Sequence, residues 1–180
     1  MYSSQPSKTL HQLFCGITEN TFHIQLGVAD PQLVDYLGNL LVRFVRHDAL
    51  EKIRSVTGQK LRDVGAMLAE ANARVGEARR EVHRHIGDFT LFWAGLFPES
   101  LRRQHGALAS DQFHDYCAHG KRAYHIAAMI ETSTKQDAPN DVLIQLSEHF
   151  EMCAYGLREV RRELERGDED AEPPRPFLIN

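Results

Sequence analysis

Residues 59–95 read QKLRDVGAMLAEANARVGEARREVHRHIGDFTLFWAG, and the spacing of their apolar side chains decides the fold class. Leu61, Val64, Leu68, Ala71, Val75, Ala78, Val82, Ile86, Phe89, Trp93 and Leu96 follow one another in steps of three and four, which keeps them on one face of an α-helix. Gly58 before the run and Pro98 after it are start and stop signals. A continuous helix over 59–95 would be about 55 Å long at 1.5 Å per residue. That exceeds a typical globular helix, so a break near Asn72 to Gly76 is the competing expectation. Gly65, Gly76 and Gly87 are spaced eleven apart, close to three full turns. On an unbroken helix they would line a groove open to a second backbone.

Working outward, Asp30-Pro31 supplies an N-cap and a first-position proline. Leu33, Leu37, Leu40, Leu41 and Phe44 follow as a wide apolar face. Before it, Leu10, Leu13, Phe14, Ile17 and Phe22 predict a helix from about Thr9. After the central run, Ser110-Asp111 would cap a helix to about Glu131. Asn140-Asp141 would cap a last helix striped by Leu143, Leu146, Phe150, Cys153, Leu157, Val160 and Leu164. Thr132 to Asn140 is polar and reads as a loop. No strand alternation is convincing anywhere. The expected architecture is all-α, a bundle of five or six helices around the long central helix at about 59–95. Residues 1–166 form the helical domain, and the acidic, proline-containing stretch 167–180 has the composition of disorder. Phe177 to Asn180 end it on an apolar note, suited to docking or partner capture.

The bulk numbers narrow the class further. In 180 residues, apolar side chains make up 42% and charged ones 26%, with a formal net charge of −4, ordinary values for a globular domain. Four of the acids and one base fall in 167–180, so the body is nearly neutral. It offers no broad electrostatic footprint for nucleic acid, although Arg79, Arg80 and Arg84 are close together. The three cysteines, Cys15, Cys117 and Cys153, are odd in number and form no CxxC, which predicts free thiols and a reducing compartment. Cys117 and Cys153 fit helix faces as small core residues. No stretch has the roughly 18 apolar residues of a membrane span, and the N-terminus has no apolar core of signal-peptide length. A soluble cytoplasmic protein is expected.

Three constellations could carry chemistry. Ten histidines are present, but no Glu has a His three residues later and HExxH is absent, so the known bundle-metal signatures fail. A looser metal set remains, Glu77, Glu81, His85 and Asp88, stepping by four, four and three along the central helix. His114, His119 or Glu148 would complete it from neighbouring helices. The plainer account of that strip is a solvated acidic face paired with Arg74 and Arg84. An aromatic group, Phe89, Phe92, Trp93 and Phe97, could floor an apolar ligand pocket, with Phe92 and Trp93 as walls and the Tyr124 hydroxyl as polar contact. At helical spacing the same group also suits simple core packing.

The third constellation is Arg80 with His85, four residues between them. It resembles the Arg-x4-6-His motif of HEPN domains, small all-α bundles, many of which dimerise and cleave RNA without metal. That resemblance covers six residues and the fold class. It would imply His85 as general acid/base and Arg80 as phosphate binder. Glu81 departs from it, since HEPN motifs commonly carry a small polar residue there and a carboxylate repels phosphate. No recognised motif implies a cofactor. The function expected from these residues is a protein-interaction or scaffold module, with a protein partner or self-association, the aligned glycines suiting a homodimer. A metal-binding bundle and a HEPN-like ribonuclease are the alternatives.

Overall fold

The computed structural model describes residues 6–45, 63–102, 112–132 and 138–169. Among them are eight α-helices, one π-helical segment and no strand. The helices are α1 (Pro6–Glu19), α2 (Pro31–Val45), α3 (Val64–Ala73), α4 (Gly76–Leu96), α5 (Pro98–Arg102), α6 (Gln112–Met129), α7 (Asn140–Glu148) and α8 (Phe150–Glu169). The all-α bundle expected from periodicity is what the chain forms.

The first turn of the chain path is set at Gly27. Helix α1 runs into the π segment Asn20–Gln25, which buries Phe22 completely. Gly27 then takes φ +68, a left-handed conformation that costs glycine little. Helix α2 starts as its sequence dictates. Asp30 Oδ1 accepts from the backbone amides of Gln32 at 2.9 Å and Leu33 at 3.2 Å, satisfying two orphan donors of the first turn. Pro31 occupies the first helical position.

The long apolar run is not one helix. Arg74 and Val75 are extended, and Gly76 has φ +55, so the chain breaks within the Asn72–Gly76 window and α3 folds back against α4. The central helix is therefore 21 residues. Val75, in step with the stripe, projects into solvent with 84% of its surface exposed. The eleven-residue glycine line dissolves with the break. Gly76 makes the turn, and Gly87 lies against the Tyr124 ring of the same chain, where an added Cβ would come within 2.6 Å. The feature that suggested a second copy is thus used inside the bundle.

Helix α4 is surrounded, packing against α2, α3, α5, α6 and α8. Every residue from Val82 to Phe92 is buried. Small residues permit this. Gly120 faces Phe150 and Thr90, Gly95 faces Leu157, and Gly156 faces Phe22. Cys117 and Cys153 are buried free thiols, and burial pushes Cys153 up to about 12, so both act as small core residues.

Other boundaries differ from the sequence expectation. The last helix divides at His149 into α7 and α8, and α8 continues to Glu169, past the expected boundary at 166. Asn140 does not cap α7. Pro139 precedes the helix, and the Asn140 side chain is taken by Arg80. The signals at Gly58 and Ser110-Asp111, most of the 132–140 loop, and the Phe177–Asn180 terminus lie outside the described residues.

Candidate functional site

A helix enclosed over most of its length buries most of the polar residues it carries. On α4 these are Arg80, His83, Arg84, His85, Asp88 and Thr90. Each needs a partner or leaves a desolvated group costing about 1–3 kcal/mol. Thr90 returns its hydroxyl to the Ile86 and Gly87 carbonyls at 2.8 and 3.0 Å. The others form the chemically interesting centre of the molecule.

Asp88 is the hub. The Tyr36 hydroxyl donates to its Oδ1 at 2.6 Å, the Tyr124 hydroxyl to the same oxygen at 2.9 Å, and Arg43 Nη2 to Oδ2 at 3.1 Å. This ties α4 to α2 and α6. Burial, then the Asp88 charge, pushes both tyrosine hydroxyls well above their ordinary pKa, so they remain donors. The Arg43 guanidinium also sits 5.2 Å over the Tyr36 ring. One turn earlier, Arg84 holds Glu81 through contacts of 2.7 to 3.1 Å. Burial opposes its charge, but Asp88 and Glu81 outweigh that and raise its pKa.

Arg80 and His85 are turned to different neighbours. Arg80 Nη2 donates to the Ala138 carbonyl at 2.8 Å and to Asn140 Oδ1 at 2.9 Å, pinning the approach to α7. Burial and the nearby Arg84 charge lower its pKa. His85 stacks on Phe44 of α2, with ring centres 5.8 Å apart and planes at 18°. Five residues along a helix rotate a side chain by about 140°, and the two side chains meet different elements, Arg80 the approach to α7 and His85 helix α2.

The expected metal set is not assembled either. Among the described residues no group of three or more His, Cys, Asp or Glu could hold an ion. Glu77 to Asp88 spans about 16 Å of helix axis. Glu77 is exposed at one end, and Asp88 at the other is engaged by two tyrosines and an arginine. Phe92 and Trp93 pack on each other edge to face at 6.0 Å, Phe92 stacks on Phe44 at 5.0 Å, and Tyr124 spends its hydroxyl on Asp88. Phe92, Trp93 and Tyr124 are built into the packing and line neither of the two clefts below.

Two clefts open beside this core. The larger, about 480 Å³, lies between α2 and the start of α7, with Asp35, Asn39, Tyr36 and Arg43 at its walls. The smaller, about 250 Å³, lies among α3, α4 and α6 and is lined by Arg79, His83, His119 and Arg122. Sequence reasoning missed the second cluster. Its signals were the four-residue step from Arg79 to His83 and the three-residue step from His119 to Arg122, each placing a basic pair on one helix face. It also missed the Asp88 hub, visible as a lone carboxylate within HIGDFTLFW.

No family model, no curated protein and no solved structure matches this chain.

Proposed function

We propose that the chain is a binding module, an interaction or scaffold domain, and not a catalyst. The observation that supports this is the commitment of its reactive side chains. Arg80 is held by Ala138 and Asn140, Glu81 by Arg84, and Asp88 by Tyr36, Tyr124 and Arg43. A group already bonded inside the fold has to break those bonds before it can serve a substrate. The protein acts through its surface, where Ile24 is 77% exposed and Leu13 and Tyr155 are each about half exposed. Aromatic and aliphatic side chains of this kind are the usual anchors of a protein partner.

The test is direct. Labelled single-stranded RNA is incubated with the purified protein in excess chelator, alongside Arg80→Gln and His85→Gln. The binding reading expects no cleavage above buffer by any of the three. Cleavage by the wild type that both variants lose would replace it with the ribonuclease alternative. Light scattering on the wild type and Ile24→Asp then reads self-association. A concentration-dependent rise in mass that the aspartate removes would identify the partner as a second copy.

A further inference from the structure

The cleft among α3, α4 and α6 has a composition that the bundle itself does not need. Arg79 and His83 enter it from α4, His119 and Arg122 from α6, and Asn72 from α3. No carboxylate is among the lining residues, and none of the side chains of Arg79, His83, His119 and Arg122 makes a hydrogen bond or ion pair with the described residues. Elsewhere the arginines of α4 are paired, Arg84 with Glu81 and Arg80 with Ala138 and Asn140.

The second observation is independent of the charge. His83 is 2% exposed, and neither of its ring nitrogens has a partner. Arg79 Nε is likewise buried and unpartnered. Buried polar atoms in folded proteins are overwhelmingly hydrogen-bonded, so an orphaned imidazole on the wall of an open cleft indicates a missing acceptor. Oxygen atoms carrying negative charge are the natural acceptors for guanidinium and imidazole N–H groups. Guanidinium forks match phosphate oxygens in particular.

We infer that this cleft binds a small phosphate monoester, its phosphoryl oxygens held by Arg79, Arg122 and an N–H of His83. At about 250 Å³ the space falls below the roughly 300–1,000 Å³ of sites for drug-sized ligands. It suits one phosphoryl group with a short organic part. Leu68 and Ile126 supply an apolar wall for that part, which favours an organic monoester over a polyphosphate.

Burial, then the charges of Arg79 and Arg122, hold His83 down to about 4. The groups facing it are those two arginines and His119. A bound dianion offsets both positive charges and gives the ring an acceptor, so the imidazole becomes easier to protonate. The inference extends the binding reading by naming a ligand class for one site, and that reading does not depend on it.

The experiment is a titration of the full chain with phenyl phosphate, followed by calorimetry and by histidine ring resonances. Sulfate and benzoate serve as competing probes. The expected result is saturable binding, at least tenfold weaker in Arg79→Gln and in Arg122→Gln, with an upward move of the His83 titration midpoint. Circular dichroism confirms that the variants fold, and His83→Gln offers a second variant if an arginine change does not. No binding at millimolar phenyl phosphate, unchanged affinity in both arginine variants, or equal affinity for sulfate would overturn the assignment. The RNA experiment above is unaffected by any of these outcomes, so the two readings fail separately.

Discussion

Replacing Asp88 by Ala should be among the most damaging single changes in this chain. The substitution removes the acceptor of Tyr36 and Tyr124 and the counter-charge of Arg43. Tyr124 is fully buried and Tyr36 is 6% exposed, so neither hydroxyl can turn to bulk water. Each hydrogen bond to a charged acceptor contributes about 1.5–3 kcal/mol. Arg43 has 35% of its side chain in solvent and can hydrate, which reduces its share. The two tyrosine bonds alone give about 3–6 kcal/mol, and breaking a buried pair costs about 3–5 kcal/mol, so the range common to both, about 3–5 kcal/mol, is expected. For a chain of this size each kcal/mol moves the melting temperature by about 2–4 °C, so Asp88→Ala should melt roughly 6–20 °C lower. Asp88→Asn keeps one acceptor oxygen and should lose about half as much. Thermal denaturation followed by far-ultraviolet circular dichroism measures both, and Tyr36→Phe combined with Tyr124→Phe tests whether the losses are coupled. A melting point for Asp88→Ala within 1–2 °C of wild type would refute the hub as a structural element.

Three further outcomes follow from the same geometry. Gly156→Ala puts a Cβ 2.2 Å from Phe22 Cζ in the core, and such overpacking should cost about 1–3 kcal/mol in urea unfolding. Asp30→Ala removes the α2 cap and the 2.7 Å contact from Gln145 Nε2; a loss of about 1–2 kcal/mol in the same assay is expected. Because His83 is held down to about 4, the unfolded chain, near 6.5 at this position, takes up the proton first on acidification. Stability should therefore fall as pH drops from about 6.5 to about 4, with His83 adding at most about 1.4 kcal/mol per pH unit. Melting curves of His83→Phe should be flatter over that window, and an identical pH profile would sink the idea.

How much of this was legible in the sequence depended on whether a signal was local. Helical periodicity and the Asp30-Pro31 start are set by near neighbours, and both appear where the residues place them. The break at Arg74 and Val75 is different, because the apolar spacing runs through it in step. The excess length of an unbroken helix raises a break near Asn72 to Gly76 as the competing expectation, and the left-handed φ at Gly76 with the solvent-exposed Val75 decides for it. The candidate site was harder still. Glu77, Glu81, His85 and Asp88 do share a helix face, but the partners of Glu81, His85 and Asp88 come from α4 itself, from α2 and from α6. Sequence spacing says which side chains are aligned. It does not say that a tyrosine 52 residues away will reach the carboxylate first. The cleft of Arg79, His83, His119 and Arg122 needs two helices to meet before it exists.

The central claim is that the side chains with catalytic potential hold the bundle together. Urea unfolding of Arg80→Met tests it most directly, since this change keeps the bulk and removes both contacts to Ala138 and Asn140. A loss of about 2 kcal/mol with the unfolding slope unchanged is expected. Wild-type stability in that variant would mean that Arg80 is free for other work, and would contradict it.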